Sequence, residues 1–190
     1  AQSVGRVAAQ RTVARLNPRR LRTQRAPVLF VPELARGLIG SLVAAVRGSS
    51  QYREASFLLG AAGRQVLPSG VNIAERPHIP KAIGSAPFDD EGVATRDREL
   101  IAGGVLQGYV LSSYSARKLG LQSTGNAGGP HNLLVAPALG GVFPAMLATM
   151  GTGLVVSELM GQGVNIVTGD YSRGAAGFWV ENGAIQYPVA

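Results

Sequence analysis

The chain has 190 residues, of which 46% are hydrophobic, with 26 glycines, 11 prolines and a formal net charge of +7. This composition is that of a globular, loop-rich protein and excludes an intrinsically disordered one, because there is enough apolar surface to form a core. The absence of cysteine excludes disulfides and thiolate metal ligands within this segment and fits a reducing compartment. No apolar run approaches the ~20 residues of a membrane span.

The positive charge is concentrated at the start of the chain. Seven arginines and no acidic residue fall within the first 25 residues, namely Arg6, Arg11, Arg15, Arg19, Arg20, Arg22 and Arg25. Such a cluster is typical either of a phosphate-binding arm or of a solvated helix face and linker beside an acidic neighbouring domain. We favour the second interpretation because no aromatic residue lies among the arginines to stack on bases.

In the first third of the chain, apolar spacing predicts a helix over residues 4–16, which Asn17-Pro18 would end. A short buried strand is predicted over 27–31. A second helix should follow over 32–46, since Pro32 suits a helix start and Glu33 complements the helix dipole. Residues 52–66 fit either a broken helix or irregular structure.

In the middle of the chain, Val71 begins a predicted strand over residues 71–73, followed by a loop punctuated with proline and the acidic turn Asp89-Asp90-Glu91-Gly92. The remaining predicted elements are strands 93–101 and 105–111, helix 113–119, a glycine-rich loop 120–132, strand 133–136, helix 143–150 and strand 153–158.

Residues 168–183 predict one arm of a β-hairpin. They contain four glycines and the only Trp, and they end on Asn182-Gly183, a dipeptide suited to a two-residue turn. The alternation that follows over 184–189 predicts the return strand. Glycines within a strand indicate bulges, or a place where another backbone, such as a peptide or a second subunit, comes close.

Strands outnumber helices and connect mostly through hairpins, which predicts a mixed α+β domain with largely antiparallel strands and a few flanking helices. Two parts are predicted: a basic helix and linker over residues 1–25, and the α+β domain over residues 26–190.

Three segments carry a resemblance to a known family: residues 168–183, the SYSARKLG stretch over 113–120 and the STGNAGG stretch over 123–129. They resemble the TldD/PmbA family, and most closely its PmbA (TldE) branch, once named a modulator of DNA gyrase. The resemblance implies a barrel-like β domain and one half of a cytoplasmic metallopeptidase pair that trims unfolded or modified peptides, including a microcin precursor. The chain begins with Ala and not Met, which indicates a processed or truncated product, and the resemblance implies that an N-terminal domain and the final strands lie outside it.

The same resemblance bears on metal binding. In the TldD branch a helix carries an HExxxH pattern, whose two His side chains hold zinc and whose Glu activates water. Aligned through residues 52–56, that helix corresponds to 33–46, and the pattern's positions hold Ile39, Gly40 and Ala44. The resemblance therefore implies no metal in this chain, with zinc expected in a TldD-like partner. A separate metal site that combines His78, His131 and residues 89–91 stays open as an alternative.

No G-x-S-x-G nucleophile motif and no phosphate-binding P-loop motif is present. Asn126, in the glycine-rich loop, either stabilises a turn or lines a cleft where it hydrogen-bonds a peptide. The best candidate for a substrate-binding surface consists of Asp170, Tyr171, Ser172, Arg173 and Gly174.

Two interpretations of that surface stay open. Asp170 and Arg173 could simply pair and fix the turn. Alternatively, Arg173 could hold a substrate carboxylate bidentately while the strand edges beside Gly174 and Gly177 add to an extended peptide. Phe178 and Trp179 are interpreted as core or interface anchors.

The leading functional hypothesis is a PmbA-like subunit without a metal, which pairs with a TldD-like metallopeptidase subunit and helps to form the cleft for unfolded or modified peptides. One alternative is a nucleic-acid or gyrase-associated module that uses the arginine-rich start. Another is a structural homodimer in which the glycine-rich hairpin pairs across a two-fold axis.

Overall fold

The structure is a computed structural model and describes residues 2–136 and 141–190. Within these residues the helices are α1 (Gln2–Val13), α2 (Pro32–Val46), α3 (Gly48–Tyr52), α4 (Ser113–Leu119) and α5 (Phe143–Met150). The strands are β1 (Val28–Phe30), β2 (Asn72–Glu75), β3 (Arg98–Ala102), β4 (Val105–Leu106), β5 (Leu133–Ala136), β6 (Gly153–Met160), β7 (Val164–Asn165), β8 (Asp170–Tyr171), β9 (Gly174–Glu181) and β10 (Ala184–Val189).

The chain divides into two compact units. The first comprises Ala1–Ile39, Gly141–Val164 and Tyr171–Ala190, and the second comprises Gly40–Gly140 and Asn165–Asp170. The division predicted after residue 25 stays a prediction.

The first unit contains a four-stranded sheet in the order β1-β6-β9-β10. β1 runs parallel to β6, whereas β6, β9 and β10 pair antiparallel. Leu147 of α5 packs with Val155 and Val180 to form the buried core of this unit, joined by the partly buried side chains of Leu29, Val31, Met150 and Phe178. Because alternate side chains of a strand point to one face, this core lies on the side of the sheet that α5 covers.

A glycine in β9 is required by the sheet itself. Gly177 pairs with Val156 of β6 on one side and with Val189 of β10 on the other. A Cβ atom at position 177 would overlap the carbonyl oxygen of Val155. The predicted pairing of an extra peptide or subunit at Gly177 is therefore wrong, because both neighbours of β9 at this point are strands of the same chain.

The predicted hairpin turn is confirmed. Asn182 and Gly183 both have positive φ, at 51° and 72°, as a two-residue turn that follows the sheet's twist requires. At the other end of β10, Arg19 donates its backbone N–H to the oxygen of Pro188 at 2.9 Å and lies over the ring of Tyr187, 4.4 Å from its centroid. The arginine-rich segment thus covers part of the outer edge of β10.

The second unit contains an antiparallel sheet in the order β4-β3-β2-β5. Its buried side chains include Ile73, Leu100, Ile101 and Leu106. The strands predicted over 93–101 and 105–111 are much shorter in the structure, as β3 and β4. The reason is local, because the backbone before β3 turns back on itself, with Asp89 N–H bonded to the oxygen of Val93.

Helix α4 has the bounds that the sequence predicts. Ser112 and Ser115 form a capping box at its start, and Gly120 ends it in the left-handed conformation at φ 66°. The uncertain stretch over 52–66 is irregular after α3 ends at Tyr52.

The structure confirms the mixed α+β class with mostly antiparallel strands. Among the described residues both four-stranded sheets are open, so the barrel-like arrangement is not present as a closed barrel. No helix in residues 2–136 and 141–190 is both long enough and apolar enough to cross a membrane.

We expect Gly177→Val to lower the free energy of unfolding by more than about 3 kcal/mol, because the new side chain would push β6 and β9 apart. The matched control is Gly40→Ala in α2, where nothing lies within 4 Å of a Cβ and a gain of about 0.5–1 kcal/mol is expected. Chemical denaturation followed by circular dichroism measures both. Equal stability of Gly177→Val and the unmodified chain would contradict this role for Gly177.

Candidate functional site

The segment predicted to bind substrate consists of β8, a connection at Ser172 and Arg173, and the start of β9, and its backbone is held by main-chain hydrogen bonds. Ser172 donates its N–H to the oxygen of Gly163 at 2.7 Å, and Gly169 donates to Asn165 at 2.8 Å. A Cβ at Gly163 would overlap the oxygen of Ser172. The loop conformation is therefore fixed largely by main-chain contacts, and the half-exposed ring of Tyr171 is left in contact with solvent.

The two charged side chains of this segment bond to other residues. Asp170 accepts a hydrogen bond from the hydroxyl of Thr168 at 2.6 Å. Arg173 donates from Nε to the backbone oxygen of Met160 at 3.2 Å. Among the described residues the two terminal nitrogens of Arg173 have no partner, so the guanidinium is oriented yet still able to bind a carboxylate.

Gly174 begins β9 opposite Met160 of β6. On its other side β9 pairs with β10 over Gly177 to Glu181. An oriented guanidinium at the start of β9 is a suitable binding group for a peptide carboxylate.

Asn126 is in a different environment, being only 4% exposed. Its Nδ2 atom donates to Glu75 at 2.7 Å and to the oxygen of Gly129 at 3.2 Å, while its Oδ1 atom accepts from Thr124 at 2.7 Å. The side chain that sequence reasoning selected as a peptide ligand is thus engaged in the interior of the second unit. Its role in peptide binding stays a prediction.

Glu75 is the centre of that interior network. Glu75 is only 1% exposed. Its carboxylate accepts hydrogen bonds from Arg98 Nε at 2.6 Å, from Asn126 Nδ2, and from the backbone N–H of His131 at 2.6 Å. Arg98 also donates to the oxygen of Tyr109 at 2.8 Å. A buried carboxylate needs this number of donors, because an uncompensated charge in the interior is costly.

Sequence reasoning missed Glu75 and Arg98. Glu75 ends a short strand and Arg98 begins another, and neither position has a motif that distinguishes it from a surface charge. The three hydrogen-bond partners of Glu75 lie 23, 51 and 56 positions away from it in the chain. The one available signal was Asn126, which falls within a stretch that carries the family resemblance.

Asp89 ties the acidic turn to the glycine-rich loop. Its Oδ1 atom accepts from the N–H groups of Glu91 and Val93, each at 2.9 Å, and its Oδ2 atom accepts from the N–H of Ala127 at 2.8 Å. Burial acts to raise the pKa of Asp89, but the three backbone hydrogen bonds, with a further contribution from His131, outweigh it and leave that pKa below its usual value.

The three positions that the alignment through residues 52–56 assigns to the HExxxH pattern hold no zinc ligand. Ile39, Gly40 and Ala44 lie in the unbroken helix α2, and none carries an atom that can bind a metal or move a proton. His78 contacts the hydroxyl of Thr95 at 3.0 Å, and His131 contacts the oxygen of Gly125 at 3.1 Å. Within residues 2–136 and 141–190, no three His, Cys, Asp or Glu side chains are grouped so as to hold a metal ion.

Two of the arginines at the start of the chain have partners in the first unit. Arg15 forms an ion pair with Glu158 at 2.6 Å and donates to the hydroxyl of Ser157 at 3.2 Å. Together with the contact of Arg19 on Tyr187, this fits the interpretation of a helix face and linker. A groove of about 610 Å³ lies beside this segment and is lined by Arg11, Arg15, Val31, Glu33, Leu34 and Phe178, among others.

Comparison with known proteins places this arrangement in a family. The family model of the PmbA/TldA metallopeptidase C-terminal domain matches residues 23–190. The metalloprotease PmbA of Escherichia coli O157:H7 is 58% identical over 187 residues, which are 98% of this chain and 41% of the relative. The metalloprotease PmbA homolog of Haemophilus influenzae is 57% identical over 187 residues, 98% of this chain and 42% of the relative.

Solved structures agree with the sequence comparison. The crystal structure of a putative modulator of DNA gyrase from Bacteroides thetaiotaomicron is 29% identical in sequence and superposes with a TM-score of 0.91. The match covers 98% of this chain and 42% of that protein. The chain therefore belongs to the PmbA/TldD family of metallopeptidase-like proteins. It spans about two fifths of the length of these curated relatives.

We expect Glu75→Gln to lower the free energy of unfolding by about 3 kcal/mol, because an amide nitrogen would face donors and Arg98 would lose its counter-charge. The matched control is Glu99→Gln, whose carboxylate pairs with Arg76 at the surface and should contribute less than about 1 kcal/mol. Both are measured by chemical denaturation. Similar losses of stability in the two variants would contradict a larger contribution from the buried network than from a surface ion pair.

Asp89→Asn should change how stability depends on pH. The pKa of Asp89 is lower in the folded chain than in the unfolded chain, where it is about 4. The contribution of Asp89 to the free energy of unfolding is therefore fully present above about pH 4 and is lost as the pH falls through the folded-state pKa. We expect the variant to be about 1–2 kcal/mol less stable at pH 7, with this difference shrinking below pH 4. Denaturation curves from pH 7 to pH 3 test this, and a difference independent of pH would contradict it.

Proposed function

We propose that this chain is part of a PmbA-type subunit that has no zinc site of its own. With a TldD-like metallopeptidase subunit, it forms the cleft in which unfolded or modified peptides, including a microcin precursor, are bound and degraded or matured. The proposal rests on the alignment through residues 52–56, which assigns Ile39, Gly40 and Ala44 of the intact helix α2 to the positions of the zinc-binding pattern. The absence of cysteine supports a cytoplasmic location.

The chemistry of the HExxxH positions supports a division of labour. Zinc in the TldD-like subunit would polarise the scissile carbonyl and supply an activated water. An aliphatic side chain and a glycine cannot replace His or Glu in that chemistry, so this chain's contribution is to bind and orient the peptide.

Arg173 is the side chain best suited to that binding. Its Nε–H bond to Met160 fixes the plane of the guanidinium, while the terminal nitrogens stay available for a peptide carboxylate. Main-chain groups at Gly174 would add hydrogen bonds that do not depend on the peptide's side chains. Such contacts suit a site that accepts many unfolded sequences.

The proposal is tested with the full natural chain, a purified TldD-like subunit, and a fluorogenic unfolded peptide. Cleavage should occur in the mixture and disappear on chelation, whereas the full natural chain by itself should show no cleavage. In the mixture, Arg173→Gln should raise KM about 10-fold, because a charge-assisted contact worth about 1.4 kcal/mol is lost. Arg64→Gln, at an exposed arginine of the second unit, is the matched control and should leave KM unchanged.

Chelator-sensitive cleavage by the full natural chain without a partner would overturn the division of labour. An unchanged KM for Arg173→Gln in an active mixture would instead reject only the role of Arg173. The two outcomes are therefore separable.

A further inference from the structure

An aromatic pair lies on the outer face of α3 and α4. The rings of Tyr52 and Tyr114 meet edge-on, with centroids 5.7 Å apart and an interplanar angle of 80°. Tyr114 is 51% exposed. About half of the Tyr114 side chain is therefore in contact with water, although aromatic side chains contribute most to stability or binding when they are buried.

Two cations accompany the rings. The guanidinium of Arg53 lies 5.6 Å from the centre of the Tyr52 ring and donates from Nε to the Tyr52 hydroxyl at 3.3 Å. The ammonium of Lys118 lies 5.9 Å from the centre of the Tyr114 ring. Exposed Arg117 on the same helix adds a third positive charge.

These cations have no acidic partner in the part of the chain that the structure describes, where the ion pairs involve Arg15, Arg76 and Arg98. Two carboxylates lie nearby in the sequence. Glu54 follows Arg53 and is exposed, and the carboxylate of Glu91 accepts the N–H of Ser113 at 2.7 Å. The face stays net positive after both are counted.

The helix that presents this face is rigidly held. Besides its capping box, α4 packs against α3 at Gly48, where a Cβ would overlap the side chain of Ser115. Leu111, just before the helix, bonds through its N–H to the hydroxyl of Thr124 at 2.8 Å. A pre-organised surface loses little entropy on binding, which favours its use for recognition.

We propose that the α4 face, formed by Tyr52, Arg53, Tyr114, Arg117 and Lys118, docks an acidic segment of another protein. Carboxylates of that segment bind the three cations, and an aliphatic side chain packs on the exposed ring of Tyr114. This docking is independent of the peptide cleft and of the zinc chemistry proposed above.

Charge alone would also suit a nucleic acid, but the geometry favours a polypeptide. Base stacking needs a free aromatic face. Here the two rings meet edge to face at 80° and so form no shared flat surface for bases, and a cation lies 5.6 Å from the centre of Tyr52 and 5.9 Å from that of Tyr114. Carboxylates need no such face and can approach the cations and the Tyr114 hydroxyl directly.

The test uses the full natural chain and a fluorescent twelve-residue peptide of alternating Glu and Leu, with a Gln-for-Glu peptide and a twelve-nucleotide oligo-dT as comparison probes. We expect the Glu peptide to bind and the affinity to fall as salt is raised. Arg53→Glu combined with Lys118→Glu should weaken binding at least 10-fold, and Tyr114→Leu about 3-fold. The milder pair Arg53→Gln and Lys118→Gln should weaken it about 5-fold.

The matched control is Arg64→Glu combined with Arg96→Glu, which alters the net charge equally at two exposed arginines away from the α4 face. We expect less than a 2-fold effect from this pair. Equal weakening by both charge-reversal pairs, or equal binding of the Gln peptide, would overturn the proposal. Tighter binding of oligo-dT through the same residues would overturn it in favour of a nucleic acid. Circular dichroism of each variant confirms that it is folded.

Discussion

The buried carboxylate of Glu75 is the constraint on which the second unit depends. It connects β2 to β3 through Arg98, and it connects both to the glycine-rich loop through Asn126 and the N–H of His131. A charge with 1% exposure is tolerated only if donors surround it, so the three segments must arrive together. Asp89 makes a second such connection, since its carboxylate joins the acidic turn to the same loop. The glycine-rich loop is therefore held from two sides by carboxylates.

The stretches that carry the family resemblance contribute largely to the fold. Ser115 completes the capping box of α4, Asn126 donates to Glu75, and Gly177 makes room for the backbone of β6. In this chain these residues therefore serve packing and hydrogen bonding. They say less about which side chains touch a substrate. After these roles are assigned, Arg173 is the charged side chain of the loop before β9 whose terminal nitrogens remain free among the described residues.

What could be predicted from sequence was decided locally. The bounds of α2, α4 and α5 follow from proline, capping residues and apolar spacing, and the turn at Asn182-Gly183 follows from the need for positive φ. What could not be predicted depends on specific hydrogen bonds, some within a turn and others between residues far apart in the chain. The strand expected over 93–101 is shortened because its first residues turn back toward Asp89, and the burial of Glu75 depends on residues up to 56 positions away. Local periodicity contains no information about either contact.

The main-chain contacts that hold α2 in the fold do not involve the side chains of Ile39, Gly40 and Ala44. The end of α2 is anchored through its carbonyl oxygens, since Ser50 donates to Ala44 at 2.8 Å and Gln51 donates to Ala45 at 2.7 Å. Val46 accepts the N–H of Val110 at 3.1 Å, which joins the helix to the segment before α4. These bonds involve main-chain atoms of α2 and do not depend on which side chains stand at positions 39, 40 and 44. Different side chains at those three positions are therefore compatible with the same main-chain contacts of α2.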